Sequence, residues 1–185
     1  MLHMEQKEYK LEIVNELLNN DNHIRAIAKK LNVNHMTIVR KIKALSKENV
    51  VDYKEEGKNK TYFLKKTIEA RNYIYSAENY KLNKLIKKYP ALRGIVEKIQ
   101  RNKRIKLAIL FGSFAKGISK PDSDVVIDID TAEKKVKDEI SLIDSKLSIK
   151  IGIYNKSNLL IKEIEKNHVI IKGIEQYYGK NKFFE

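Results

Sequence analysis

Apolar residues recur at spacings of three and four along much of this chain and at a spacing of two in shorter stretches, and that change of period separates helices from strands. Residues 7–19 carry Leu11, Val14 and Leu18, with Ile13 and Leu17 beside them, which predicts a first amphipathic helix. The polar run Asn19-Asn20-Asp21-Asn22 ends it. A second helix over about 23–32 places Ile24, Ile27, Ala28 and Leu31 on one face. Asn32-Val33-Asn34 then turns the chain into a third helix over 35–48, capped by the Asn34 side chain and with Ile38, Val39, Ile42 and Leu45 inward. Val50–Tyr53 and Thr61–Leu64 are β-prone and flank the polar stretch Glu55–Lys60, so a hairpin is predicted there.

From Thr67 to Lys88 the pattern predicts one long helix, started by Thr67 and Glu69. Ile68, Tyr75, Leu82 and Tyr89 recur every seventh residue, and Ile74, Ala77 and Leu85 widen the stripe. The stripe has two readings, packing onto the chain's own core or pairing with a second copy as a homodimer. Pro90 opens a helix over 90–101 with Leu92, Ile95, Val96 and Ile99 inward. Leu107 to Phe111 is an unbroken apolar run, as in a strand buried on both faces, and it stops at Gly112-Ser113. A short loop or helical turn, 114–117, follows. Strict alternation comes next, with Val125, Ile127 and Ile129 on one face and Asp124, Val126, Asp128 and Asp130 on the other.

A helix over 132–146, a strand over 147–154 and closing helices from near Ser157 complete the pattern, and the segment from Asn167 onward is apolar and aromatic enough to pack back on the core. The fold class expected is α/β in two domains, of α+β organisation. Residues 1–66 make the first domain, 67–89 a linker helix, and 90–185 a mixed sheet with helices.

Three helices followed by a basic hairpin, over about residues 7–66, resemble the winged helix-turn-helix transcription regulators. The resemblance implies that the third helix enters the major groove of double-stranded DNA and that the hairpin reaches phosphates. His35, Thr37 and Arg40 are then the candidates for base contact. Lys41, Lys43, Lys58 and Lys60 are the candidates for phosphate contact.

In the second half, "GSFAKG" followed by "SD", with Asp124 eleven residues after Ser113, resembles the minimal nucleotidyltransferases of the DNA polymerase β superfamily. The resemblance spans about 90–178. It implies a mixed-sheet core in which Gly112, Ser113 and Lys116 hold a nucleoside triphosphate, while two aspartates spaced by one residue and a third from a later strand hold two Mg²⁺ ions. Here Asp124 matches the first aspartate, Val126 stands at the second, and Gly152 stands at the third. Asp128 and Asp130 have the right mutual spacing, so Asp124, Asp128 and Asp130 are the candidate metal ligands. Asp128 is two pleats from Asp124, roughly 13 Å along a regular strand. The plainer reading of Asp128 and Asp130 is a solvated strand face.

Valine and glycine hold no cation, so the expected function is a DNA-binding regulator carrying an inactive nucleotidyltransferase fold. It would require no cofactor. The alternative is a Mg²⁺-dependent enzyme moving a nucleoside monophosphate from NTP to a protein or small molecule. Relatives of the minimal nucleotidyltransferases include antitoxins that modify a partner toxin, which adds a protein partner to the expectations.

Charge agrees with a polyanion partner: 38 Lys and Arg against 24 Asp and Glu leave a net charge of +14. The competing reading is a lysine-rich coat that keeps the protein in solution. There is no cysteine, so disulfides and thiolate metal sites are excluded and a reducing cytoplasm is expected. Without a long apolar run or an apolar leader after the polar start, neither a membrane span nor a secretory signal is expected. His3, His23 and His168 show no metal-ligand spacing.

Overall fold

The computed structural model describes residues 8–57, 59–154 and 159–185, and these divide into two compact units, the described residues up to 77 with 184–185, and those from 78 to 183. In the first unit α1 (Tyr9–Asn19), α2 (Ile24–Leu31) and α3 (His35–Lys47) precede a hairpin of β1 (Val51–Glu56) and β2 (Asn59–Leu64). Their shared core is built from Ile13, Val14 and Leu17 of α1, Ile27 and Ala28 of α2, and Ile38, Ile42 and Leu45 of α3. Asn34 caps α3, its side-chain oxygen accepting from the Met36 N–H at 2.8 Å. Asn22 does more than break α1. Its N–H donates to the Tyr62 carbonyl at 3.0 Å and its carbonyl accepts from the Tyr62 N–H at 2.9 Å, so the strand-like link before α2 pairs with the hairpin.

The long helix α4 (Ile68–Lys88) starts where Thr67 accepts the Ala70 N–H on its hydroxyl at 3.2 Å. The boundary between the units falls inside this helix, after Ala77. Its seven-residue stripe is mostly packed within its own units: Leu82 is 5% exposed in the core of the second, Tyr89 stacks edge-on against Phe114 at 4.9 Å, and Tyr75 meets Phe184 of the first at 6.3 Å. Only Ile68 of the four stands out in water.

The second unit continues with α5 (Leu92–Arg101), β3 (Ala108–Phe111), the single turn α6 (Ser113–Lys116), β4 (Val125–Asp130), α7 (Lys134–Ser141), β5 (Leu147–Gly152), α8 (Leu159–Lys166), β6 (His168–Lys172) and α9 (Ile174–Lys180). The four strands form a mixed sheet in the order β5-β4-β3-β6, parallel between β4 and β5 and antiparallel elsewhere. One face, with Leu110, Ile127, Ile149 and Val169, packs on α5 and α7 through Ile95, Val96, Ile99, Val136 and Ile140. The other face is the carboxylate face, where Val126, Phe111 and His168 form one row and Asp128, Ile109 and Ile170 the next.

Two expectations change. The segment after Asn167 does not merely pack back: His168–Lys172 is an edge strand beside β3. The helix expected over 132–146 ends at Ser141, and Leu142 just beyond it is 88% exposed. Gly173 makes the turn from β6 to α9 feasible. It sits at φ 84°, and a Cβ there would lie 2.1 Å from the Lys106 carbonyl oxygen.

Candidate functional sites

On α3, three-and-four spacing brings Met36, Arg40, Lys43 and Lys47 into one line along the side opposite Ile38, Ile42 and Leu45. His35, Arg40 and Lys43 are exposed, while Thr37 and Lys41 are half-buried at the flanks of that line. Where α2 turns into α3, Arg25, Lys29, Asn32, Asn34 and His35 line an open depression of about 580 Å³. Neither α2 nor α3 contains an acidic residue. Every charged side chain on these two helices is therefore cationic, and of these Lys30 pairs with Glu16 of α1 at 2.8 Å.

The hairpin treats its cations differently. The Lys60 ammonium sits 3.8 Å over the Tyr53 ring and 3.9 Å from the Glu55 carboxylate, and Lys54 pairs with Asp21 at 3.3 Å. Lys58 lies outside the described residues. His23 ties the tip-side end of β2 to the start of α2, its Nδ1 lying 3.0 Å from the Lys60 carbonyl oxygen and 3.2 Å from the Thr61 hydroxyl.

In the second unit the Gly-Ser turn joins β3 to α6. Gly112 has φ 80° and ψ −149°, a conformation that a side chain would strain, and its Cβ position would lie 3.7 Å from Val126. The residue at the place of the second family aspartate is thus the one lying against the turn, and it is apolar. Ser113 begins α6 and Lys116 ends it exposed. Lys88, at the end of α4, donates to the Gly117 carbonyl at 2.7 Å and so holds the far side of the same turn.

The three candidate carboxylates have three different surroundings. Asp124 precedes β4 and is exposed. Asp128 is 5% exposed, and burial, with the charge of Asp130 adding to it, pushes its carboxyl up to about 6. Asp130 accepts the Tyr154 N–H on Oδ1 at 2.9 Å and pairs through Oδ2 with the Lys180 ammonium at 2.9 Å. The expected solvated strand face is therefore absent: Asp128 is buried, and Tyr154 and Lys180 of α9 take up the oxygens of Asp130. Gly152 pairs with Asp130 across the parallel strands and brings no carboxylate. Among the described residues, no group of three or more His, Cys, Asp or Glu side chains is placed to hold a metal ion.

A chain of polar groups continues from Asp130 under α9. The Tyr154 hydroxyl lies 3.0 Å from a Glu165 carboxylate oxygen and accepts from the Asn181 amide at 3.1 Å, and burial raises it to about 12. Tyr177 stacks on Tyr154 at 5.8 Å and on His168 at 4.8 Å. His168 faces the Ile164 carbonyl through Nδ1 at 3.1 Å, while its Nε2 is buried without a partner. Burial first, and then the Lys81 ammonium, bring its pKa down to about 4. Tyr178 donates to the buried Glu78 carboxylate at 2.8 Å, and Lys81 pairs with Glu78 at 2.8 Å.

Several of these residues escape sequence reasoning. Arg25 and Lys29 of α2 and Met36 of α3 follow from the same helical periodicity that puts Ile27 and Ile38 inward, since they lie on the outward faces of those helices. Lys88 and Lys180 carry no local signal, because each acts on a residue far away in the chain.

No helix among the described residues is long and apolar enough to cross a membrane. No curated protein matches the chain. Residues 93–176, from α5 into α9, match the family model described as Polymerase beta, Nucleotidyltransferase, which supports a nucleotidyltransferase fold for this part of the chain.

Proposed function

We propose that the protein is a DNA-binding regulator of the winged-helix kind, and that its nucleotidyltransferase-fold domain does not carry out two-metal transfer. The observation that carries the first half is the basic surface of α2 and α3, where Arg25, Lys29, Arg40 and Lys43 face solvent without an acidic residue on either helix. Such a surface releases counterions from a phosphate backbone, and the leading turn of α3 is the part that reaches base edges in this geometry.

The second half rests on β4. A pair of Mg²⁺ ions needs ionised carboxylates with free oxygens facing the triphosphate. Val126 occupies the position beside Gly112, Asp128 is buried and readily protonated, and both oxygens of Asp130 are engaged. These residues do not fit the two ions.

The retained turn favours one second reading, a Mg²⁺-dependent nucleotidyl transfer to a protein or small molecule. Gly112 keeps its special backbone, Ser113 follows it, and Lys88 and Lys116 flank the turn. The test is fluorescence anisotropy with a mixed-sequence DNA duplex between about 50 and 200 mM salt, where a protein neutralising several phosphates loses affinity steeply. Salt-sensitive binding supports the regulator. No binding at low salt, together with incorporation of label from NTP into an acceptor, supports the enzyme.

A further inference from the structure

One side chain on the outward line of α3 stays unexplained by solvation or by charge. Met36 is 54% exposed. It occupies the second position of the helix, where the Asn34 cap fixes its backbone N–H at 2.8 Å. An apolar side chain held there forgoes the burial that stabilises the others on its helix. His35 precedes it and lines the depression shared with Arg25 and Lys29 of α2, Arg40 stands one turn above, and neither helix carries an acidic residue.

An apolar protein surface would cover Met36 and leave those cations without counter-charge. A duplex answers both demands. Its phosphates meet the lysines and arginines, and its major groove displays one apolar group, the C5 methyl of thymine. The unbranched thioether adapts its shape to such a contact at little cost.

We propose that Met36 is a specificity-determining residue that packs on thymine C5 methyl groups in the major groove, so that the protein prefers sites rich in A·T pairs. This rests on the DNA-binding reading above. Arg40, in line with Met36 one turn further on, anchors the helix, and Met36 selects among the pairs that its first turn meets.

The experiment compares two duplex pools of the same mixed sequence, one containing thymine and one made with uracil in its place, which lacks only the C5 methyl. Anisotropy titrations use the full chain. The wild type is expected to bind the thymine pool more tightly, by roughly fourfold for each methyl buried. Met36→Ala is expected to bind both pools alike, with the salt dependence of the wild type, and Met36→Leu to regain part of the preference. Equal affinity of the wild type for the two pools overturns the inference, as does a Met36→Ala protein that keeps the preference. Failure of the wild type to bind either pool at low salt overturns the DNA-binding reading as well, so the two failures are told apart.

Discussion

Arg40 and Lys43 leave α3 into water, with no carboxylate on their own helix or on α2 to neutralise them, whereas Asp128 is 5% exposed and Asp130 is bound on both oxygens. Both surfaces come from ordinary amphipathic patterns, a helix in one case and a strand in the other. The difference lies in what covers them. An exposed cation keeps its hydration and exchanges it for a phosphate at little cost, while a buried carboxylate must be protonated or paired before it is stable there. A charged face that stays open remains a binding surface. One that has been covered becomes part of the fold.

The largest expected effects break this comparison at Asp128. Its folded pKa of about 6 lies above the ordinary value of 3.8, so the folded state holds the proton more tightly. Stability from this group is present at low pH and is lost as pH rises from 3.8 through 6, at a cost on the order of 3 kcal/mol by pH 7. Asp128→Asn is expected to recover about that much at pH 7 and nothing at pH 4, by urea denaturation. A variant less stable than the wild type at pH 7 would mean that the ionised carboxylate has a partner.

His168 works in the opposite direction. Its folded pKa of about 4 lies below the ordinary 6.5, so its contribution is whole above 6.5 and is lost as pH falls towards 4, again on the order of 3 kcal/mol. In the wild type the two trends oppose each other between pH 4 and 6. In Asp128→Asn the slope of His168 is expected to stand unmasked, and a flat profile in that variant would contradict the enclosure of the ring.

A smaller effect is expected at Lys180. Lys180→Met leaves Asp130 with the Tyr154 N–H as its remaining partner and should cost about 1 to 3 kcal/mol of stability. DNA affinity should not follow it. If it did, the contrast between an open surface and a covered one would fail. The smallest change concerns Lys43→Ala, which should lower the slope of log affinity against log salt by about 1 and weaken binding alike across sequences.

The parts of this molecule that were legible in the sequence are those fixed within a few residues. Asn34 and Thr67 cap helices through neighbours two or three positions away, and the apolar spacing of Ile27, Ile38 and Ile42 sets the inward faces. Val126 and Gly152 could be read as missing carboxylates through the resemblance that "GSFAKG" and Asp124 bear to the nucleotidyltransferases. The edge strand His168–Lys172 could not be separated from a helical segment, since a short apolar run carries no period. The state of Asp128 and Asp130 was equally hidden. Alternation showed that they share a face, but burial decides the state of Asp128 and Tyr154 and Lys180 that of Asp130, and nothing local announces residues so far along the chain.

The most direct test of the account is the affinity of three full-length proteins, wild type, Arg40→Ala and Asp124→Ala, for one mixed-sequence duplex by anisotropy at low salt. Asp124→Ala is expected to bind as the wild type does, and Arg40→Ala to lose about 1 to 3 kcal/mol of binding free energy. Loss of binding in Asp124→Ala with none in Arg40→Ala would contradict it, and would move the functional surface of this protein from α3 to β4.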